Sequence, residues 1–316
     1  MRTSATNASV RATRRSCAGL RRLSVGIGGI SLGLTADSPD MGLVADSSLE
    51  KFLVREARCD MEFTVGWSED LVRLPRNLLF DSGGLWRAFE GGDGYCFQFT
   101  SPRLGSKPYK QAKVSRDFTR GRIELVRHGG GRSHSADPLE YPLDELLWSH
   151  RLAQGRGVEV HGCGVVTPDG RGLLLAGHSG AGKSTAARLW LSVPGARVLS
   201  DDRIIVSRDG GQLRMYGTPW HGDAGVSEAC SFPLDAVFVL AHGNANRLRP
   251  LSPATASAEL YARSFLPHYS AHAVSFVLSF LDELVSEVPC REFAFVPDQS
   301  AVEVLLHEQV SKSHAA

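Results

Sequence analysis

Gly177-His178-Ser179-Gly180-Ala181-Gly182-Lys183-Ser184 spells G-x-x-x-x-G-K-[ST], the loop pattern that cradles phosphate groups. The apolar run Leu173-Leu174-Leu175-Ala176 before it reads as a buried strand. Residues 185–191 after it carry no helix breaker. Strand, glycine loop and helix together turn a string match into a mechanism. The glycines let successive backbone N–H groups turn toward an anion, and the helix that follows aims its positive dipole end at the same point. Lys183 reaches the outer phosphates as a point charge, and Ser184 offers its hydroxyl oxygen to Mg²⁺. The expected nucleotide site is therefore Gly177, His178, Ser179, Gly180, Ala181, Gly182, Lys183, Ser184 and Thr185, with ATP and Mg²⁺ as cofactors.

The whole chain sets the frame for that loop. Its 316 residues, 42% hydrophobic and 22% charged, describe an ordinary globular protein of about two domains. A net charge of +1 supplies no field for nucleic acid or anionic lipid, so neither a nucleic-acid nor a membrane partner is expected. The six cysteines stand singly with no C-x-x-C pair, which argues against a zinc or redox site and for a reducing compartment. The first 36 residues contain no Asp or Glu but carry Arg2, Arg11, Arg14, Arg15, Arg21 and Arg22. Two readings fit: a basic, acid-poor targeting segment, or a disordered tail with residues 25–34 as the first strand. The tail, residues 1–23, is preferred, and a protein that uses ATP is expected in the cytoplasm.

Residues 24–137 read as a strand-rich N-terminal domain. Residues 61–65 alternate with period two. Residues 85–89 and 95–99 flank Gly91-Gly92-Asp93-Gly94 as a hairpin, and residues 111–118 and 122–127 make another strand pair. The polar stretch 128–137 reads as a linker in which His128 and His134 are solvated. Residues 138–316 form the second domain. Its expected helices cover 141–152, 254–265, 271–288 and 301–312, and its expected strands 157–166, 197–200, 204–207, 213–216, 234–241 and 292–296. The fold class is α/β.

Asp201 lies 18 residues after Lys183, at the end of a short apolar strand. In a phosphate-loop fold the neighbouring strand delivers a carboxylate to Mg²⁺. Asp201 and Asp202 alternate in direction on an extended segment, so a turn is needed if both are to face the nucleotide. One of the two then holds the metal, and the other takes the proton from an acceptor hydroxyl. The metal set is Ser184 with Asp201, and the catalytic set is Asp202, Asp201 and His161, the last on the strand leading into the site. Arg203 either neutralises phosphate charge or forms an ordinary ion pair. Trp220, in the loop Gly217-Thr218-Pro219-Trp220-His221-Gly222-Asp223, either plugs the core or stacks on a ligand.

Taken together, His161-Gly162, the glycine loop and Leu199-Ser200-Asp201-Asp202 resemble the catalytic core of bacterial HPr kinase/phosphorylase. The resemblance is closer to the shorter HPr-kinase-like proteins, and there it extends to Tyr141-Pro142-Leu143-Asp144-Glu145-Leu146-Leu147 and Tyr216-Gly217-Thr218-Pro219-Trp220. Some of those proteins serve in peptide-modification clusters, lasso-peptide clusters among them. The resemblance implies a kinase core related to phosphoenolpyruvate carboxykinase, with a smaller strand-rich N-terminal domain. It also implies serine-kinase activity on a small protein or peptide, and a homo-oligomer. The chain departs from HPr kinases in carrying Thr185 where they have Glu, and it lacks their P-G-R-N type element, for which Asn246-Arg247 is a faint substitute. Two other functions remain open on the residues alone: a small-metabolite (sugar-type) kinase, and a non-catalytic module gated by nucleotide.

Overall fold

The computed structural model describes residues 20–71, 77–127 and 135–308. They form a strand-rich mixed α/β structure on two curled sheets. The first sheet has the spatial order Arg22–Ile27, Ile30–Ala36, Met61–Ser68, Arg120–Val126, Gly105–Ser115, Gly94–Ser101, Trp86–Gly91, Asn77–Asp81. Met61–Ser68 runs parallel to both its neighbours, and the other pairings are antiparallel. Period-two alternation puts Leu32, Leu34, Phe63, Val65, Phe97 and Ile123 in one buried cluster.

The helix Leu143–Leu152 closes that cluster. Leu143, Leu147, Trp148 and Leu152 lie on one stripe and belong to the same core. The Trp148 Nε1–H donates to the Ile27 carbonyl at 2.9 Å, inside the protein. The sequence reading groups this helix with the second domain, yet its apolar face packs into the first. Truncating Trp148 removes a fully buried ring, a change that costs about 3–5 kcal/mol.

The second sheet runs Ser231–Pro233, Gln212–Gly217, Arg203–Asp209, Gly157–Val166, Gly172–Ala176, Ala236–His242, Cys290–Phe295, Arg247–Pro250. Gly157–Val166 is its hub. Residues 157–161 pair with Arg203–Asp209, while the far half pairs with Gly172–Ala176 on one edge and Arg197–Ser200 on the other. Both faces are covered. Leu174 and Val237 meet the helices Pro253–Tyr261 and Ala271–Glu287, whereas Leu173, Leu175 and Phe238 meet the helices Lys183–Leu191 and Ser300–His307. Two-sided burial explains why the strand before the glycine loop is an unbroken apolar run instead of an alternating one.

Several elements differ from expectation. Residues 25–34 are not one strand. Gly28 and Gly29 take φ of 64° and 74° and turn the chain between two strands, the first of which starts at Arg22. Phe118 sits in a turn at φ 56° and not in a strand. The helix expected over 254–265 stops at Tyr261, and Ser264–Phe265 pairs with Glu159 and Val160. The C-terminal helix is Ser300–His307, and residues past 308 lie outside the described part. So do residues 1–19 of the expected tail and residues 128–134, with His128 and His134. Ser135–Ala136 pairs with Gly42–Leu43, which the linker reading did not foresee. All five cysteines among the described residues are free.

Candidate functional site

Strand directions assemble the site. Arg197–Ser200 and Gly172–Ala176 both run antiparallel to Gly157–Val166, one on each of its edges. They are therefore parallel to each other, and their C-terminal ends, Asp201 and Gly177, emerge on the same side. Ligands bind in such crevices beyond strand ends. The central strand passes in the opposite direction, which brings His161 to that same end: Gly162 pairs with Ala176, and the Gly177 N–H donates to the His161 carbonyl at 3.1 Å.

The glycine loop leads into Lys183–Leu191. Gly182 precedes this helix at φ 99°, and a Cβ there would lie 2.6 Å from the Phe295 ring, so both conformation and space require glycine. No side chain caps the helix, and its first turn has no acidic residue. Its leading N–H groups thus remain open to an anion. Lys183 is buried and folds back to donate from Nζ to the His178 carbonyl at 2.9 Å. Burial holds its ammonium below the usual lysine range, against the opposing pull of Asp202. His178, Ser179 and Gly180 are exposed at the loop tip.

Asp201 is fully buried, with every lone pair in use. Oδ2 accepts from Ser184 Oγ at 3.0 Å and Ala224 N at 2.9 Å, and Oδ1 accepts from Gly222 N at 3.0 Å and Val226 N at 3.3 Å. Gly222 makes this possible: a Cβ there would stand 2.9 Å from Asp201 Oδ2 and 3.3 Å from Ser184 Oγ. The loop is held on its other side by Arg188, which donates to the Asp223 carbonyl at 3.1 Å.

Asp202 turns away from Asp201. The strand breaks after Ser200 and resumes at Arg203, and in that bend the two carboxylates diverge. Asp202 Oδ1 lies 2.9 Å from His161 Nε2, and Oδ2 accepts from Arg203. Burial pushes the Asp202 carboxyl up, but the His161 bond and the charges of Arg203 and Lys183 outweigh it and leave it below the ordinary Asp value. Arg203 is a hub. Its Nε is 3.3 Å from Glu145 and 3.4 Å from Glu159, and its guanidinium lies 3.9 Å over the Phe265 ring. Burial and the Glu145 charge raise the fully buried Glu159 carboxyl well above the usual range, against Arg203.

The expected residues from His161 through Asp202 thus come together at one end of the second sheet. Thr185 is a helix residue just past the loop. Arg203, at 17% side-chain exposure, is no surface ion pair; it holds Asp202. Trp220 is a brace: its Nε1–H donates to Asp144 Oδ2 at 2.7 Å, and its ring packs edge-on to Trp148. Asn246 bonds Val296 N and Ser300 and holds two C-terminal segments together. Sequence reasoning quoted Glu145 only within the stretch 141–147 and gave it no role, and it missed Glu159 and Arg263. The Arg263 carbonyl accepts from His161 N at 2.7 Å, and its charge, ahead of burial, lowers the His178 imidazole below its ordinary range. No local pattern marks the place of these three in the site, because each reaches it from a different element.

The Ser184 hydroxyl oxygen, at the start of the uncapped helix, could hold a magnesium ion, while Asp201, buried and saturated, reaches such an ion through its hydrogen bond to Ser184. Among the described residues no cluster of three or more His, Cys, Asp or Glu forms an all-protein metal cage. Among the described residues no helix is long and apolar enough to cross a membrane. A family model described as SynChlorMet cassette protein ScmC matches residues 146–272. This stretch covers less than half of the chain and includes the central strand, the glycine loop, both aspartates and Arg263. No curated protein matches the chain.

Proposed function

We propose that the protein is an ATP- and Mg²⁺-dependent phosphotransferase, a serine kinase acting on a small protein or peptide. The observation that carries this reading is the 3.0 Å contact between Ser184 and Asp201 at the mouth of an uncapped helix, with a second carboxylate, Asp202, beside it. The resemblance to HPr-kinase-like proteins supports a phosphate-loop kinase core and the acceptor class, and the use of ATP points to a cytoplasmic protein.

The geometry supports a division of labour between the aspartates. Asp201 is saturated by four donors and buried, which suits it to fix the loop 222–226 and Ser184, whose hydroxyl oxygen would hold the metal. Mg²⁺ held at Ser184 would supply neutralisation of phosphate charge. Asp202 keeps 26% of its side chain exposed and is the base. Its carboxylate accepts the proton of the serine hydroxyl as the serine oxygen bonds to the γ-phosphorus and the bond to the β-phosphate oxygen breaks, which releases ADP. The loose transition state demands positioning more than basicity, so a carboxylate held ionised by His161 and Arg203 serves. Lys183 and the loop amides hold the phosphates, and Arg263 adds a positive charge nearby.

The test is transfer from γ-labelled ATP to candidate peptides. Loss of a general base lowers rates about 10²–10⁴-fold. Asp202→Asn is expected to lose at least about 10²-fold in kcat while still binding MgATP. Label transfer as fast as wild type removes Asp202 from the mechanism, and no MgATP binding by folded wild type removes the whole reading.

A further inference from the structure

We propose that a cavity between the two sheets grips the acceptor peptide by a large apolar side chain, aromatic or aliphatic, close to the reacting hydroxyl. The word acceptor rests on the phosphotransferase reading; the peptide preference does not.

The cavity has a volume of about 250 Å³. Phe80 and Trp86, from the last two strands of the first sheet, line it together with Tyr141, Phe265 and Tyr269. Phe80 stacks on Trp86 with ring centroids 4.8 Å apart and reaches Tyr269 at 6.0 Å. Arg203 also lines the cavity and bonds Asp202. The space therefore begins one guanidinium away from the candidate base. Boundaries between structural units are a preferred place for ligand pockets.

The lining decides the chemistry of the occupant. Several of its polar groups already have partners within the protein. Glu145 bonds Arg203, and Ser149 Oγ donates to the Leu146 carbonyl at 3.2 Å. The His150 ring uses one nitrogen on the Leu146 carbonyl and the other on the Tyr269 hydroxyl. A sugar buried there leaves hydroxyls unpaired, which is costly, whereas an apolar side chain needs no partner. Phe80 and Tyr141 are 41% and 61% exposed, so apolar ring surface still faces water beside the cavity and gains from being covered. Pockets for whole small molecules run to about 300–1,000 Å³; this smaller one suits a single bulky side chain. An extended chain advances about 3.3 Å per residue, so that side chain belongs within about three residues of the hydroxyl.

The experiment uses the full chain without nucleotide. Blocked heptapeptides with a central serine, and one Phe, Leu, Lys or Asp placed two residues away on either side, are titrated by calorimetry. Phe and Leu peptides are expected to bind at least about tenfold more tightly than Lys and Asp peptides. Phe80→Ala is expected to erase the preference, and Leu78→Ala, on the same edge strand but outside the lining, to keep it. Tyr141→Ala serves as a second lining variant should Phe80→Ala fold poorly. Thermal unfolding of each variant reports its folding, and MgATP titrated into the same samples reports nucleotide uptake. Equal binding of all peptides, an undiminished preference in a folded lining variant, or binding of glucose but of no peptide overturns the proposal. Wild type that prefers Phe and Leu peptides but takes up no MgATP leaves the cavity standing and removes the kinase.

Discussion

Asp201→Asn tests how the site is built, independently of any substrate. The carboxylate accepts from three backbone amides and one hydroxyl, with no water-facing surface to soften the change. An asparagine offers one acceptor oxygen. Its better orientation keeps that oxygen toward Gly222 and Val226, where two charge-assisted bonds become neutral ones, at about 1 kcal/mol each. The amide nitrogen then faces the Ala224 N–H, a buried donor with no acceptor, at about 2 kcal/mol. Ser184 can reverse its hydroxyl and accept. Together the loop 222–226 loses about 4 kcal/mol of local stability, a factor of about 10³ in an opening equilibrium. Amide hydrogen exchange of Gly222, Ala224 and Val226, measured without nucleotide, reads this directly. Protection at those three amides within about threefold of wild type refutes the reasoning, because 1.4 kcal/mol corresponds to a tenfold change.

Three further outcomes are expected. Trp220→Phe removes the donor to buried Asp144 and costs about 1–3 kcal/mol in urea denaturation. Burial already pushes that carboxyl up to about 6 despite the Trp220 bond. The folded state thus keeps a proton the unfolded state has lost, stability falls as pH rises from the ordinary Asp value toward 6, and the variant's deficit must be larger at pH 7 than at pH 4.5. His150 is buried, and burial lowers its imidazole to about 4. Its contribution is whole above the ordinary value of 6.5 and is lost as pH falls toward 4, by up to about 3 kcal/mol. Asp144 has the opposite sign over part of that window, so the measurement is the difference between His150→Phe and wild type, whose pH slope must flatten; parallel curves refute it. Gly182→Ala forces a Cβ into Phe295 at an unfavourable φ and is expected to cost about 1–3 kcal/mol and to weaken MgATP uptake in calorimetry. Unchanged affinity removes the strained loop from nucleotide binding.

Much of the second sheet is legible in the chain because its signals are local. The strand before the glycine loop announces two-sided burial by its unbroken apolar run. The turn at Gly210-Gly211 separates two strands at the expected places, each longer than the sequence reading had it, and the helix after Lys183 has no breaker. The split of residues 25–34 was also local, carried by Gly28-Gly29, and was passed over because the flanking apolar pattern is continuous.

What the residues determined by themselves is therefore the glycine loop in its strand and helix, the strand that ends in two acids, and the histidine on the way in. Each rests on spacing within a few residues. The parting of Asp201 toward Ser184 from Asp202 toward His161 was decided only by tertiary structure, as were the binding of Arg203 by Glu145 and Glu159 and the docking of Leu143–Leu152 into the first core. These depend on which distant segments the sheet order brings side by side. A carboxylate's role follows from the donors that surround it, and those come from distant residues, as Trp220 does for Asp144 from 76 positions away.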